Sequence, residues 1–185
     1  TFTNKAANEM KDRLRKMLAE DAGQPWISTI HSLCVRILRE DIQCMGWPRN
    51  FTVMDAEDQK SVLKEAYKVL GLDATSYPYS VMLDYIANNK SAEISVERAF
   101  LLAGSYTGDK NKAKVYEYYV NRQQALYALD FDDLILWTVR MFKKFPEVLD
   151  KWQKRFTYIH VDEFQDIDKI QYELIKQLTG VYNSL

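Results

Sequence analysis

The stretch Tyr158-Ile159-His160-Val161-Asp162-Glu163-Phe164-Gln165-Asp166 sets the expected fold. Its first residues, almost without polar alternation, run straight into carboxylates. The period then changes to Ile170, Leu174, Ile175 and Leu178, the spacing of an amphipathic helix. A strand without alternation is expected where helices cover both faces of a parallel α/β sheet. The string therefore predicts a strand–loop–helix unit with Asp162 and Glu163 beyond the carboxyl end of the strand, where open α/β sheets bind their ligands. Two adjacent carboxylates there can divide the work of phosphoryl transfer, one holding Mg²⁺ and the other orienting or deprotonating a water. The same dipeptide also reads as a solvated turn that caps the next helix. His160 falls inside the expected strand and reads as a core residue.

Upstream the apolar period is helical almost everywhere. Met10, Leu14, Met17 and Leu18 share a helix face, with Asn4 placed to cap it and Gly23 to end it. Trp26 to Ile30 read as a short β-rich run, and Ser32 begins a helix that Gly46-Trp47-Pro48 stops. After Phe51-Thr52-Val53-Met54, Asp55 caps a helix that buries Leu63, Ala66, Tyr67 and Leu70 and closes at Gly71. Pro78 suits the first turn of the next helix, with Met82, Tyr85 and Ile86 inward. Gly104 to Lys114 is polar and reads as a loop. Val115, Tyr118, Tyr119, Arg122, Leu126 and Leu129 outline a long amphipathic helix. Asp130 caps another, presenting Phe131, Leu134, Ile135, Thr138, Met141 and Phe142 until Pro146.

At 185 residues, with 47% hydrophobic and 28% charged, the chain is long enough for one domain carrying an insertion and is not disordered by composition. No apolar run approaches the roughly 18 residues of a membrane-spanning helix. A net charge of -1 provides no global basic field, so any contact with nucleic acid must be local. Cys34 and Cys44 form no CxxC and indicate neither zinc nor a disulfide framework, which favours a reducing, cytoplasmic location. There is no initiator Met and no signal peptide, and the first residues read as the middle of a longer chain.

Four strings stand in a telling order: Thr1-Phe2-Thr3-Asn4-Lys5-Ala6-Ala7, Ser28-Thr29-Ile30-His31-Ser32, Asp130-Phe131-Asp132-Asp133-Leu134 and Val161-Asp162-Glu163-Phe164-Gln165-Asp166. Together with Phe51 to Gln59 and the Arg155-Phe156 approach, they make the chain resemble superfamily 1 DNA helicases of the UvrD/Rep/PcrA branch over nearly its whole length. The resemblance implies that Phe2 stacks on a base of single-stranded DNA, that Thr3 and Asn4 contact the backbone, and that Lys5 faces phosphate. Such stacking tolerates any base. By the same resemblance Thr29 and His31 approach the DNA strand, although relatives usually carry Phe or Leu at the position of Ile30. Asp162 would hold Mg²⁺, Glu163 would act catalytically on the attacking water, and Gln165 and Asp166 would couple the ATP site to its neighbours. Relatives often have Thr-Asn where this chain has Ile167-Asp168. The Asp130 string admits both a structural and a DNA-linked role.

The phosphate-binding pattern G-x-x-x-x-G-K-[ST] is absent, and Gly104 to Lys110 imitates it poorly. The expected fold is mainly α with a small parallel β component: a partial RecA-like α/β domain of the P-loop NTPase type, carrying a helical insertion. Residues 1–47 and 128–185 would belong to the first RecA-like domain, its phosphate loop lying upstream, and 48–127 to the insertion. The function implied is that of a piece of an ATP-dependent DNA helicase translocating 3′ to 5′. ATP and Mg²⁺ would be its cofactors, with none held tightly by this piece alone. Single-stranded and duplex DNA and a second RecA-like domain would be its partners, and no membrane. A helicase–nuclease subunit of the RecB or AddA type and a non-enzymatic helical interaction module are the alternatives.

Overall fold

The computed structural model describes residues 1, 3–17 and 25–180. Two compact units emerge, one formed by residues 1–49 and 137–185 and the other by residues 50–136.

The 50–136 unit is built on strong local signals. Strand β1 (Thr52–Val53) leads to α3 (Ala56–Leu70), whose first turn is closed by a reciprocal box. Asp55 accepts from the backbone nitrogen of Asp58 at 2.9 Å, and Asp58 accepts from that of Asp55 at 3.2 Å. Gly71, at φ 64°, ends the helix in the left-handed conformation that a side chain would resist. Asp55→Ala is expected to lower the unfolding free energy by about 1 kcal/mol, read as a lower urea midpoint. Helices α4 (Tyr79–Ser91), α5 (Val96–Ala103) and α6 (Thr107–Leu126) follow, then β2 (Ala128–Leu129) and the start of α7 (Phe131–Lys144). The strands pair in parallel, Thr52 opposite Ala128 and Val53 opposite Leu129. Around them Met54, Leu63, Ala66, Tyr67, Met82, Ile86, Ala113, Tyr116 and Tyr119 form one buried cluster.

In the other unit α1 (Asn4–Met17) and α2 (Ile30–Asp41) precede a 3-10 turn, Ile42–Met45. The later part of α7, α8 (Pro146–Gln153), a 3-10 turn at Phe164–Asp166 and α9 (Lys169–Thr179) complete it. Cys34, Ile37, Leu38, Ile42, Phe142, Trp152, Leu174 and Leu178 are buried.

Several expectations need correction. Tyr158–Val161 forms no strand: no segment among the described residues pairs with it, and a strand without a neighbour cannot satisfy its backbone hydrogen bonds. His160 is accordingly exposed rather than in a core, and Tyr158 is 73% exposed. Trp26 to Thr29 is likewise unpaired, and Ile30 already belongs to α2. The parallel strands lie instead at Thr52–Val53 and Ala128–Leu129. The loop expected at 104–114 gives way to α6 from Thr107, because Ala113 and Tyr116 are buried in the core and packing overrides local polarity. Within α6 Gln123 turns inward while Leu126 is exposed, and Leu129 belongs to β2. Phe131 is 49% exposed at the start of α7. In α1 only Ala7 is buried and Met17 is exposed, whereas Leu18 and Gly23 lie outside the described residues.

Candidate functional site

The carboxylate segment is a tight exposed turn leading into a capped helix. Glu163 takes the left-handed conformation, φ 50° and ψ 44°, which lets its carbonyl accept from the Asp166 backbone nitrogen at 2.9 Å. A non-glycine residue held there carries roughly 1–2 kcal/mol of backbone strain. The Gln165 side-chain amide donates to the Glu163 carboxylate and fixes its direction. Asp168 then caps α9, accepting from the Gln171 backbone nitrogen at 2.8 Å. Asp162, Glu163, Gln165 and Asp166 are all exposed, and Asp162 makes no ion pair among the described residues. The reversal at Glu163 brings Glu163 and Gln165 together.

Among the described residues no group of three or more His, Cys, Asp or Glu side chains is arranged to hold a metal ion. Magnesium does not require one, since it usually keeps several waters and takes one or two carboxylates besides substrate phosphates. The free, hard oxygens of Asp162 fit that mode.

Elsewhere in this unit two of the quoted strings meet, the Thr1 nitrogen lying 3.5 Å from the Ser28 carbonyl oxygen. Thr3, rather than the expected Asn4, caps α1: its hydroxyl oxygen accepts from the Ala6 backbone nitrogen at 3.1 Å. Asn4 occupies the first helical position, and Asn4 and Lys5 are exposed. Phe2 lies outside the described residues. Thr29 is buried as the cap of α2, accepting from the Ser32 nitrogen at 3.1 Å and donating to the Ser32 hydroxyl at 2.8 Å. His31 is half-buried in the first turn. Neither α1 nor α2 has an acid in its first turn, so no carboxylate there offsets the positive end of either helix dipole.

In the 50–136 unit the Asp130 string is occupied by the fold. Asp130 Oδ1 accepts from the Asp133 nitrogen at 3.0 Å, and Asp133 Oδ2 accepts from the Asp130 nitrogen at 3.2 Å, a second reciprocal cap. The Lys90 ammonium enters this cap from α4, donating to Asp130 Oδ2 at 2.6 Å, Asp133 Oδ2 at 2.8 Å and Gln123 Oε1 at 2.9 Å. The Tyr119 hydroxyl donates to Asp130 Oδ2 at 2.9 Å, and the Gln123 amide to Asp133 Oδ2 at 2.7 Å. Burial pushes both carboxyls up. At Asp130 the Lys90 charge and hydrogen bond reverse this and hold the carboxyl below its usual range, whereas Asp133 remains raised, to about 6. Burial also raises the Tyr119 phenol, which stays a donor. The Asp-x-x-Asp spacing signals a cap, but Lys90 and Gln123 had no sequence signal, and Tyr119 was legible only as part of an amphipathic face. Lys90 reaches the pair from α4, whereas Tyr119 and Gln123 reach it from α6, which ends shortly before Asp130.

Comparison with known proteins places these strings in one lineage. The family model described as the UvrD/REP helicase N-terminal domain matches residues 1–185. The chain belongs to this family. It is 44% identical over its full length to the ATP-dependent DNA helicase PcrA of Bacillus subtilis (strain 168). It is 43% identical over its full length to proteins of that name from Staphylococcus aureus (strain Mu50) and Staphylococcus epidermidis. In each case it covers 25% of the relative, so it spans about a quarter of the length of the curated relatives it matches. Within this UvrD/REP domain the carboxylate turn and the paired helix starts belong to the 1–49 and 137–185 unit. No described helix is long and apolar enough to cross a membrane.

Proposed function

We propose that this chain is part of an ATP-dependent DNA helicase that translocates 3′ to 5′ on single-stranded DNA and unwinds duplex ahead of it. The observation that carries the reading is the left-handed turn at Glu163, tied to Gln165 and flanked by an unpaired Asp162. Glu93 and Tyr127 share this backbone conformation, so the turn supports the reading through the carboxylate it aims and not through strain alone. Residues 1–47 and 128–185 would be parts of the first RecA-like domain and 48–127 its helical insertion. The segment 158–161 would become a strand on pairing with parts of a longer polypeptide. That polypeptide would also supply the phosphate loop and a second RecA-like domain.

In this reading Asp162 holds Mg²⁺, which neutralises charge developing on the phosphates. Glu163 accepts the proton of the attacking water, and the Gln165 amide keeps its carboxylate aimed. Asp166 joins the turn to neighbouring elements. On the DNA side Phe2 stacks on a base, Lys5 and the acid-free starts of α1 and α2 attract phosphates, and His31 contacts the strand. Thr3, Asn4 and Thr29 shape those helix starts and approach the DNA through the backbone they hold.

The test is ATP hydrolysis with and without single-stranded DNA. The complete polypeptide should be strongly stimulated by DNA. The isolated 185-residue chain should show no measurable ATPase and only weak, salt-sensitive DNA binding. A complete polypeptide indifferent to DNA would refute the motor reading. Robust hydrolysis by the isolated chain would refute the proposed division of the site.

A further inference from the structure

The C-terminal end of α2 grips the segment that leads to the carboxylates. Glu40 accepts from Arg155 Nη1 at 2.7 Å and Nη2 at 2.5 Å, a two-pronged pair, and from Lys151 Nζ at 2.6 Å. Its neighbour Asp41 accepts from Lys151 Nζ and from Trp152 Nε1, each at 2.7 Å. Trp152 is fully buried, and the Arg155 guanidinium lies 4.4 Å from its ring centroid. The hydrogen bonds from Arg155, then Lys151, hold the Glu40 carboxyl down at about 2, so it stays charged throughout the physiological range. Ordinary surface pairs look different. Lys154, for instance, meets Asp150 four residues before it in the chain.

The other end of α2 carries Thr29 and His31. Just before them Trp26 packs on Phe156 and Trp152, at ring-centroid distances of 5.5 and 6.2 Å, with Arg36 of α2 at 3.8 Å over its ring. The chain leaving Arg155 and Phe156 therefore touches α2 at Glu40 and the approach to α2 at Trp26. Only a short irregular stretch then separates it from Asp162. A 12-residue helix is a rod of about 18 Å, and it moves as one piece. A two-pronged arginine pair resists both sliding and rotation, so a shift of α2 is handed on to Arg155.

We propose that Glu40 and Arg155 are a positioning pair that couples occupation of the Thr29–Ser32 string by DNA to the alignment of Asp162 and Glu163. This rests on the helicase reading above. Neither residue touches DNA or nucleotide. Their effect is confined to how far DNA accelerates hydrolysis.

The experiment uses the complete polypeptide with an oligo-dT strand as probe, and compares Arg155→Ala, Glu40→Ala, Arg155→Lys and the exchange Glu40→Arg with Arg155→Glu. Arg155→Ala and Glu40→Ala should each reduce DNA stimulation of the ATPase by roughly 5–10-fold, within the range of single-residue effects on coupling. The DNA-free rate and the oligo-dT affinity should stay within about 2-fold, a difference smaller than ~0.4 kcal/mol. Arg155→Lys, which keeps the charge but loses the fork, should fall between, and the exchange should restore at least half of the stimulation. Unchanged stimulation in both alanine variants would overturn the proposal. So would a parallel fall of DNA-free rate, stimulation and urea midpoint, the mark of a merely structural role. Glu163→Gln in the same assay separates the two readings. If it hydrolyses ATP normally, the catalytic role of Glu163 fails, and if DNA leaves the parent's hydrolysis unchanged, the motor reading fails; if Glu163→Gln is inactive while Arg155→Ala couples normally, only the positioning pair fails.

Discussion

Lys90→Met should lower the stability of the chain by about 3–5 kcal/mol at neutral pH, because it removes the cation that, among the described residues, pairs with two carboxylates that are 2% and 4% exposed. Every donor of the ammonium is used, on Gln123, Asp130 and Asp133. Methionine fills most of the volume but returns nothing to the two oxygens. The loss depends on pH, and its sign follows from the carboxyls. Asp133 is already raised to about 6, chiefly by burial. Without Lys90 the Asp130 carboxyl loses what holds it down and Asp133 rises further, both by burial, so the folded state holds protons that the unfolded state has released. Stability then falls as pH climbs past the ordinary Asp range. Urea midpoints at pH 5 and pH 8 should show the larger deficit at pH 8. Adding Asp133→Asn to Lys90→Met should recover part of it, by removing one of the stranded charges. A Lys90→Met protein as stable as the parent at pH 8 would show that the cluster carries no net weight.

Glu163→Gln in the complete polypeptide should reduce DNA-stimulated kcat by roughly 10²–10⁴-fold, the usual reach of a positioned proton acceptor. The substitution keeps length, the turn and a partner for Gln165, and removes only basicity and charge. Nucleotide binding should therefore survive, with KM little changed, whereas Asp162→Ala should weaken the Mg²⁺ dependence of nucleotide binding. Single-turnover hydrolysis and nucleotide affinity distinguish the two outcomes. If Glu163→Gln leaves kcat intact, Glu163 has no part in the chemistry, and the strained turn needs another explanation.

Both variants concern carboxylates visible in the sequence, and they differ in how much of their surroundings was visible with them. At Asp162 and Glu163 the local string suggested a chemistry, and the resemblance it shares with the other strings leads to the family that the full-length match establishes. At Asp130 and Asp133 the spacing showed a cap and left the second role open. Lys90 closes that question for the structure of this chain by burying both acids in a satisfied ionic cluster. The assignment of Thr29 sharpened in a similar way, since its hydroxyl is spent on Ser32 within the cap.

By itself the sequence determined what depends on neighbours along the chain: the caps at Asp55 and Asp130, the stops at Gly46 and Gly71, the helical periods, and the acidic turn. Such signals act through dihedral preferences and hydrogen bonds that close within a few residues. Only the tertiary structure decided which short segments became strands, whether Thr107 began a helix, where His160 stood, and which cation met which acid. Thr52 pairs with Ala128, Lys90 with Asp133 and Glu40 with Arg155. A strand pairing or a long-range ion pair is a relation between distant parts of a chain, and its free energy exists only once packing has brought them together.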